Sequence, residues 1–163
     1  MIKAYLLTWN SERWPWPELA QKARRVMIGD IVTSRWGCGR NKHIRPGDRI
    51  FLLKQGAEPR GLFASGSAVS EPFSTLHWDE EKAALGVTAT YVVMQFETLL
   101  IPEDTILRRD LLKGHPILSQ QHWDTEVSGI AIKTVLPYCD EFLPLHNLNS
   151  LEQVVSRLGA VAL

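Results

Sequence analysis

Only two cysteines, Cys38 and Cys139, occur in the 163 residues. That is too few for a disulfide framework or a cysteine-based zinc site, and it fits a reducing compartment. Long apolar runs are missing too, since none approaches the ~20 residues of a membrane helix. The opening Ile2-Lys3-Ala4-Tyr5-Leu6-Leu7 is too short and too weakly flanked for a signal peptide. A cytoplasmic protein with no membrane partner is therefore expected. Net charge is absent as well, because 18 Lys and Arg balance 18 Asp and Glu. Proteins that coat nucleic acid indiscriminately are usually basic overall, so any such contact here must be local. His43, His77, His115, His122 and His146 have no ligand-like spacing with the cysteines, so no metal or cofactor is expected. Gly37-Cys38-Gly39 lacks the Gly-Lys-Ser/Thr ending of a phosphate loop. There is no repeat, low-complexity tract or flexible linker.

What is there is an ordinary globular composition, 45% hydrophobic and 22% charged, in a chain long enough for one domain with a core. Six tryptophans are many for this length. Each indole N–H needs a partner when buried, so some of these rings are expected at a surface. Trp9, Trp14 and Trp16 crowd near the N-terminus; Trp36, Trp78 and Trp123 follow. Trp36 lies in the densest stretch, Ser34-Arg35-Trp36-Gly37-Cys38-Gly39-Arg40-Asn41-Lys42-His43-Ile44-Arg45-Pro46-Gly47-Asp48-Arg49. A large aromatic, two glycines around a cysteine and five cations against one Asp suit a ligand that is flat and anionic at once, as a nucleotide is. A solvated loop whose Trp caps the core is the alternative.

The periodicity predicts strands at 2–8, 31–33, 50–53, 61–70, 88–98 and 128–132. Helices are expected at 17–27, where Leu19, Ala20, Ala23, Val26 and Met27 recur at helical spacing, and over 102–112. A helical turn is expected at 117–123, with a weaker helix at 133–143. A last amphipathic helix at 149–158 is capped by the Asn149/Glu152 pair. Residues 71–85 read as irregular. Pro46-Gly47 reads as a type II turn. The small residues Ala64, Ser65, Gly66, Ser67 and Ala68 predict close approach of a neighbouring backbone or ligand. The sum is one α+β domain around a curved sheet or small barrel, with helices inserted between strands.

Cys38 with His43 or His77 is the one nucleophile–base pairing on offer. Sequence places no third orienting group beside it, and a small buried Cys is the commoner case, so no catalysis is expected.

The ordered set Trp9-Asn10, Trp14, Trp16, Trp36-Gly37-Cys38-Gly39, then Pro46-Gly47-Asp48-Arg49-Ile50-Phe51-Leu52-Leu53-Lys54-Gln55-Gly56, then Pro59-Arg60-Gly61-Leu62-Phe63-Ala64-Ser65-Gly66, resembles the EVE-like domains of the PUA superfamily. It is most similar to those fused to HNH nucleases in modification-dependent restriction systems. His77-Trp78-Asp79 and Ser128-Gly129-Ile130 also fit. The likeness covers roughly residues 3 to 140. It implies a PUA-like, strongly bent mixed barrel over 1–145, related to YTH and ASCH domains, with 146–163 an amphipathic helix packed on it or on a partner. It implies a DNA reader that takes a flipped 5-methylcytosine or 5-hydroxymethylcytosine into an aromatic pocket. The alternative is an RNA-binding module for a modified or unpaired nucleotide. No His-Asn-His pattern is present, so any cleavage is expected from a fused or partner nuclease. On that basis Trp36 is one wall of the pocket, and Trp9, Trp14 or Trp16 another. Asn10, Ser34 and Ser128 read the base edge; Gly37, Cys38 and Gly39 lie against it. Arg35, Arg40, Lys42, Lys54 and Arg60 are the candidates to meet phosphates, and His77-Trp78 either sits at the rim or contributes only Trp78 packing on the barrel.

Overall fold

The computed structural model describes residues 2–116 and 118–132. The expected helices at 133–143 and 149–158, the segment 146–163 and Cys139 lie outside them. In chain order the elements are β1 (Ala4–Asn10), α1 (Leu19–Met27), β2 (Thr33–Gly37), β3 (Arg49–Gln55), β4 (Gly61–Ala68), β5 (Phe73–Leu76), α2 (Glu80–Ala84) and β6 (Thr88–Leu99). Then come β7 (Leu107–Arg108), α3 (Arg109–Gly114), a 3-10 turn at Leu118–Gln120 and β8 (Ile130–Ala131). All eight strands join one mixed sheet in the order β2-β6-β4-β3-β1-β8, with β5 added on β6 and β7 on β4. β1 and β3 are parallel over their whole length; the other pairs are antiparallel.

The sheet curls strongly into a half-barrel, as expected of an α+β bent barrel. Two bulges help it bend, at Leu52/Leu53 on the β3–β4 ladder and at Ser65/Gly66 on the β4–β6 ladder. At Gly66 a Cβ would overlap the Gln95 carbonyl, so the close approach predicted from the small residues of β4 is an approach of backbone. The edge strand β2 and the end of β1 beyond its short pairing with β8 meet through side chains rather than a ladder. Trp36 Nε1 donates to the Thr8 carbonyl at 3.1 Å. The Ser128 hydroxyl accepts from the Thr8 amide at 3.1 Å and donates to the Gly37 carbonyl at 2.6 Å.

Strand alternation sorts the core into two. Tyr5, Leu7 and Trp9 of β1 face the barrel interior with Ile50, Leu52, Phe63, Val92, Met94 and Phe96. Ala4 and Leu6 face outward with Phe51 and Leu53, under α3, the 3-10 turn and Trp123. α1 lays Leu19 and Ala23 on the interior cluster.

Several boundaries moved. The strand expected at 31–33 runs instead from Thr33 to Gly37, because its ladder partner is Tyr91–Gln95 of β6; Ile31 is exposed. The first four residues of the dense stretch, Ser34 to Gly37, are therefore strand. Residues 71–85 hold β5 and α2, the latter capped by the Asp79 carboxylate, which accepts from the Glu81 and Lys82 amides. The helix expected over 102–112 starts only at Arg109, since Asp104 and Thr105 donate to the Ile101 carbonyl and turn the chain first. The Pro46-Gly47 turn forms as expected, closed by the Asp48 amide on the Arg45 carbonyl at 3.0 Å.

Candidate functional site

The N-terminal indoles and Trp36 meet at one end of the half-barrel. β1 delivers Trp9, the turn after it carries Trp14 and Trp16, and β2 brings Trp36 across the seam. Trp14 and Trp16 lie nearly parallel, centroids 5.9 Å apart at 19°. Trp36 stands edge-on to both, at 5.4 and 5.0 Å, and Trp9 stands edge-on to Trp16 at 6.0 Å. These are contact distances for ring pairs. No ring-thick gap separates the members, so the open indole-walled slot expected from sequence is a packed cluster here. Trp9, Trp16 and Trp36 are buried, at 7%, 7% and 4% exposure, and the assignment of Trp36 as one pocket wall with Trp9 or Trp16 as another is corrected accordingly. Trp14 alone of the four is half-buried.

The indole N–H groups divide in the same way. Those of Trp9 and Trp36 are spent on the Trp14 and Thr8 carbonyls, at 2.7 and 3.1 Å. Those of Trp14 and Trp16 have no partner among the described residues. Ser34 and Lys22 adjoin the cluster, whereas Asn10 follows Trp9 on the opposite face of β1. Asn10 accepts the Glu12 amide on Oδ1 at 3.0 Å, which leaves its NH2 available. Ser34 accepts from Lys22 Nζ at 2.6 Å, and that ammonium lies 6.0 Å from the centre of the Trp16 ring. Lys22 was not singled out by sequence; its position four residues after Glu18 on a cationic helix carried no signal of a neighbour on β2. Gly37 is partly exposed, and a Cβ there would meet nothing within 4 Å.

Other assigned residues have structural roles. Cys38 is fully buried, its Sγ 3.5 Å from the Asn41 carbonyl, and burial pushes its thiol pKa up. A contact between Cys38 and a base is corrected on that ground, and a raised pKa is the reverse of what an activated nucleophile needs. Gly39 packs so closely on the Ser128 backbone that no side chain fits, and Gly129 packs likewise on the Cys38 carbonyl. Asn41 ties the two loops by donating to the Gly129 carbonyl at 2.7 Å. Ser128 spends its proton on Gly37, so it fastens the seam.

The cations separate into two sets. Arg35 is exposed on the outer face of β2, its guanidinium 4.3 Å from the centre of the Tyr91 ring. Arg40 and Lys42 are exposed in the following loop and make no ion pair among the described residues. Lys54 and Arg60, by contrast, are turned to the chain itself, which corrects their assignment to phosphate. Lys54 is 2% exposed and donates to the Ala57 and Pro59 carbonyls at 2.6 and 2.9 Å. Burial pulls its pKa down, against the pull of Glu103 and Glu58. Arg60 donates to the Gly56 carbonyl at 2.6 Å and lies 3.5 Å from Glu58. Trp78 is 43% exposed beside His77 on the hairpin carrying α2, away from the four-indole cluster.

Among the described residues no group of three or more His, Cys, Asp or Glu is placed to hold a metal, and no helix is long and apolar enough to cross a membrane. No family model and no curated protein matches the chain. Solved structures do. A protein from Pseudomonas syringae superposes with a TM-score of 0.56 at 14% identity, over 95% of this chain and 99% of that one. A hypothetical protein from Leishmania major gives 0.54 at 15% identity, over 82% and 88%. At such identities the likeness is one of fold.

Proposed function

We propose that the chain reads nucleic acid by stacking one extruded or unpaired base on Trp14, with a modified cytosine in DNA as the first candidate, on the strength of the resemblance in sequence. The observation that supports this reading is the asymmetry of the indole cluster: three rings are buried, and Trp14 is half-buried with an N–H that has no partner among the described residues. The buried rings hold the exposed one in place, so stacking costs little ordering. The Ser34 hydroxyl and the Trp14 indole N–H offer donors to a base edge. Arg35, Arg40, Lys42 and Lys22 supply the cations for its phosphates.

The magnitudes set what each part must do. Extruding a base costs a few kcal/mol, and stacking on one aromatic returns about 1–3 kcal/mol. Phosphate and edge contacts must supply the rest. A buried methyl adds about 0.8 kcal/mol, near fourfold, so base identity rests on the edge contacts.

Fluorescence anisotropy tests the reading with duplex DNA carrying 5-methylcytosine, 5-hydroxymethylcytosine or neither, and with plain and N6-methyladenosine RNA. Modified duplex is expected to bind best, and Trp14→Ala to weaken it about fivefold to a hundredfold, the worth of one stack. Four phosphate contacts, one for each of these cations, give a log–log salt slope of roughly −3.6. Preference for RNA would move the assignment to the RNA-binding class. Absence of binding to every oligonucleotide would sink the reader altogether.

A further inference from the structure

Away from the indole cluster, α1 and the end of β6 enclose a cleft of about 240 Å³. Its walls are apolar: Ala23, Val26 and Met27 on the helix side, Leu99, Leu100 and Ile101 on the other. The wall continues into protruding apolar residues. Met27, Ile28 and Ile31 are 68%, 76% and 74% exposed where α1 ends. Three such side chains present on the order of 300 Å² or more, which for a monomer is already a large patch of the kind that marks an interaction surface. A cleft and adjacent knobs on one face are the ingredients of a self-complementary contact, in which each copy supplies both halves.

The charges at the cleft choose the occupant. Arg24 and Asp104 both line it, both are exposed, and neither makes an ion pair among the described residues. The third charged residue of the lining, Glu97, is already held by Arg49 at 2.6 Å. One cation and one anion that the described residues leave unpaired, at a single apolar cleft, are satisfied together by the same surface turned through a two-fold axis, Arg24 of each copy against Asp104 of the other. A partner of single charge would satisfy one and oppose the other. The zero net charge of the chain removes the long-range repulsion that keeps charged proteins apart.

We infer that this face is a homodimer interface, formed by two copies related by a two-fold axis, with Met27 and Ile28 of one copy seated in the α1–β6 cleft of the other. The contact is an isologous one, and the charge pair fixes its register.

Sedimentation velocity on the full chain across a concentration series tests it. Wild type is expected to dimerise, and Ile28→Asp to raise the dissociation constant by on the order of tenfold or more. Arg24→Asp alone and Asp104→Arg alone each place like charges across the interface and are expected to weaken the dimer. Mixing these two single variants pairs opposite charges, so the mixture is expected to form a heterodimer tighter than either variant with itself. All three substitutions are on the surface, and circular dichroism checks that each variant is folded. A wild type that stays monomeric overturns the inference, as does a dimer indifferent to Ile28→Asp. So does a mixture no tighter than its components. Cross-links from Ile28→Cys to residues beyond 132 within a monomer would give the cleft to the chain's own C-terminal segment, and also overturn it.

Discussion

The Ser128 hydroxyl donates to the Gly37 carbonyl at 2.6 Å across 91 residues of sequence. It also takes the Thr8 amide at 3.1 Å, so one side chain joins β1 to β2, between which no ladder runs. Removing it leaves a part-buried carbonyl and amide without that partner. Ser128→Ala is expected to lower unfolding stability by about 1–3 kcal/mol, and Ser128→Thr, which keeps the hydroxyl, by less. Urea titration with an unchanged slope reads this directly. Equal midpoints for wild type and Ser128→Ala would mean the seam is held by something else.

The same seam makes two neighbouring glycines unequal. Gly39 has φ of +61° and abuts the Ser128 backbone, whereas Gly37 faces open space. Gly39→Ala is expected to cost more than about 2 kcal/mol, combining backbone strain with overlap. Gly37→Ala should stay within about 1 kcal/mol of wild type. Thermal melts of the two variants give the comparison, and similar losses in both would contradict the interlocked loops.

Burial separates Trp36 from Trp14. Trp36→Ala empties a site in contact with two other indoles and is expected to destabilise by about 3–5 kcal/mol. Loss of binding in that variant would report on folding as much as on a pocket. Trp14→Ala is expected to cost less than half as much, so its effect on oligonucleotide affinity can be read with the fold intact. Chemical denaturation of both variants decides; equal losses would place Trp14 in the core with the rest.

Lys54 gives a pH signature. Its ammonium is buried and its pKa is lowered by desolvation from the usual 10.5. The folded chain therefore gives up this proton before the unfolded chain does as pH rises. Between the lowered value and 10.5 the unfolded state holds more protons, so stability rises with pH through that window and is penalised below it. Lys54→Met removes the titration while filling similar space. The wild type should gain stability relative to Lys54→Met as pH climbs toward 10.5, and parallel curves would contradict a depressed pKa.

Elements held by local chemistry were legible in the sequence. β1, β3, β4 and β6 show in their apolar runs, α1 in its spacing, and the turn at Pro46-Gly47 in its dipeptide. Elements held by a distant partner were not. The registers of β2 and β5 are set by β6, more than fifty residues from the first, and neither strand has an apolar pattern strong enough to declare itself. The start of α3 likewise waits on the Ile101 turn.

For the site, the sequence alone established that indoles, glycines and cations are concentrated around the N-terminus and residues 34–49, and that nothing else in the chain competes with them as a locus. Which of those groups are available was decided only by the tertiary structure. Exposure depends on what crosses over a residue, and the covering groups come from elsewhere: β1 and the turn after it close over Trp36, the Ala57 and Pro59 carbonyls capture Lys54, and Ser128 arrives from the far end of the described chain. Residue type sets what a side chain can bind, whereas the packing of remote segments sets whether a ligand can reach it.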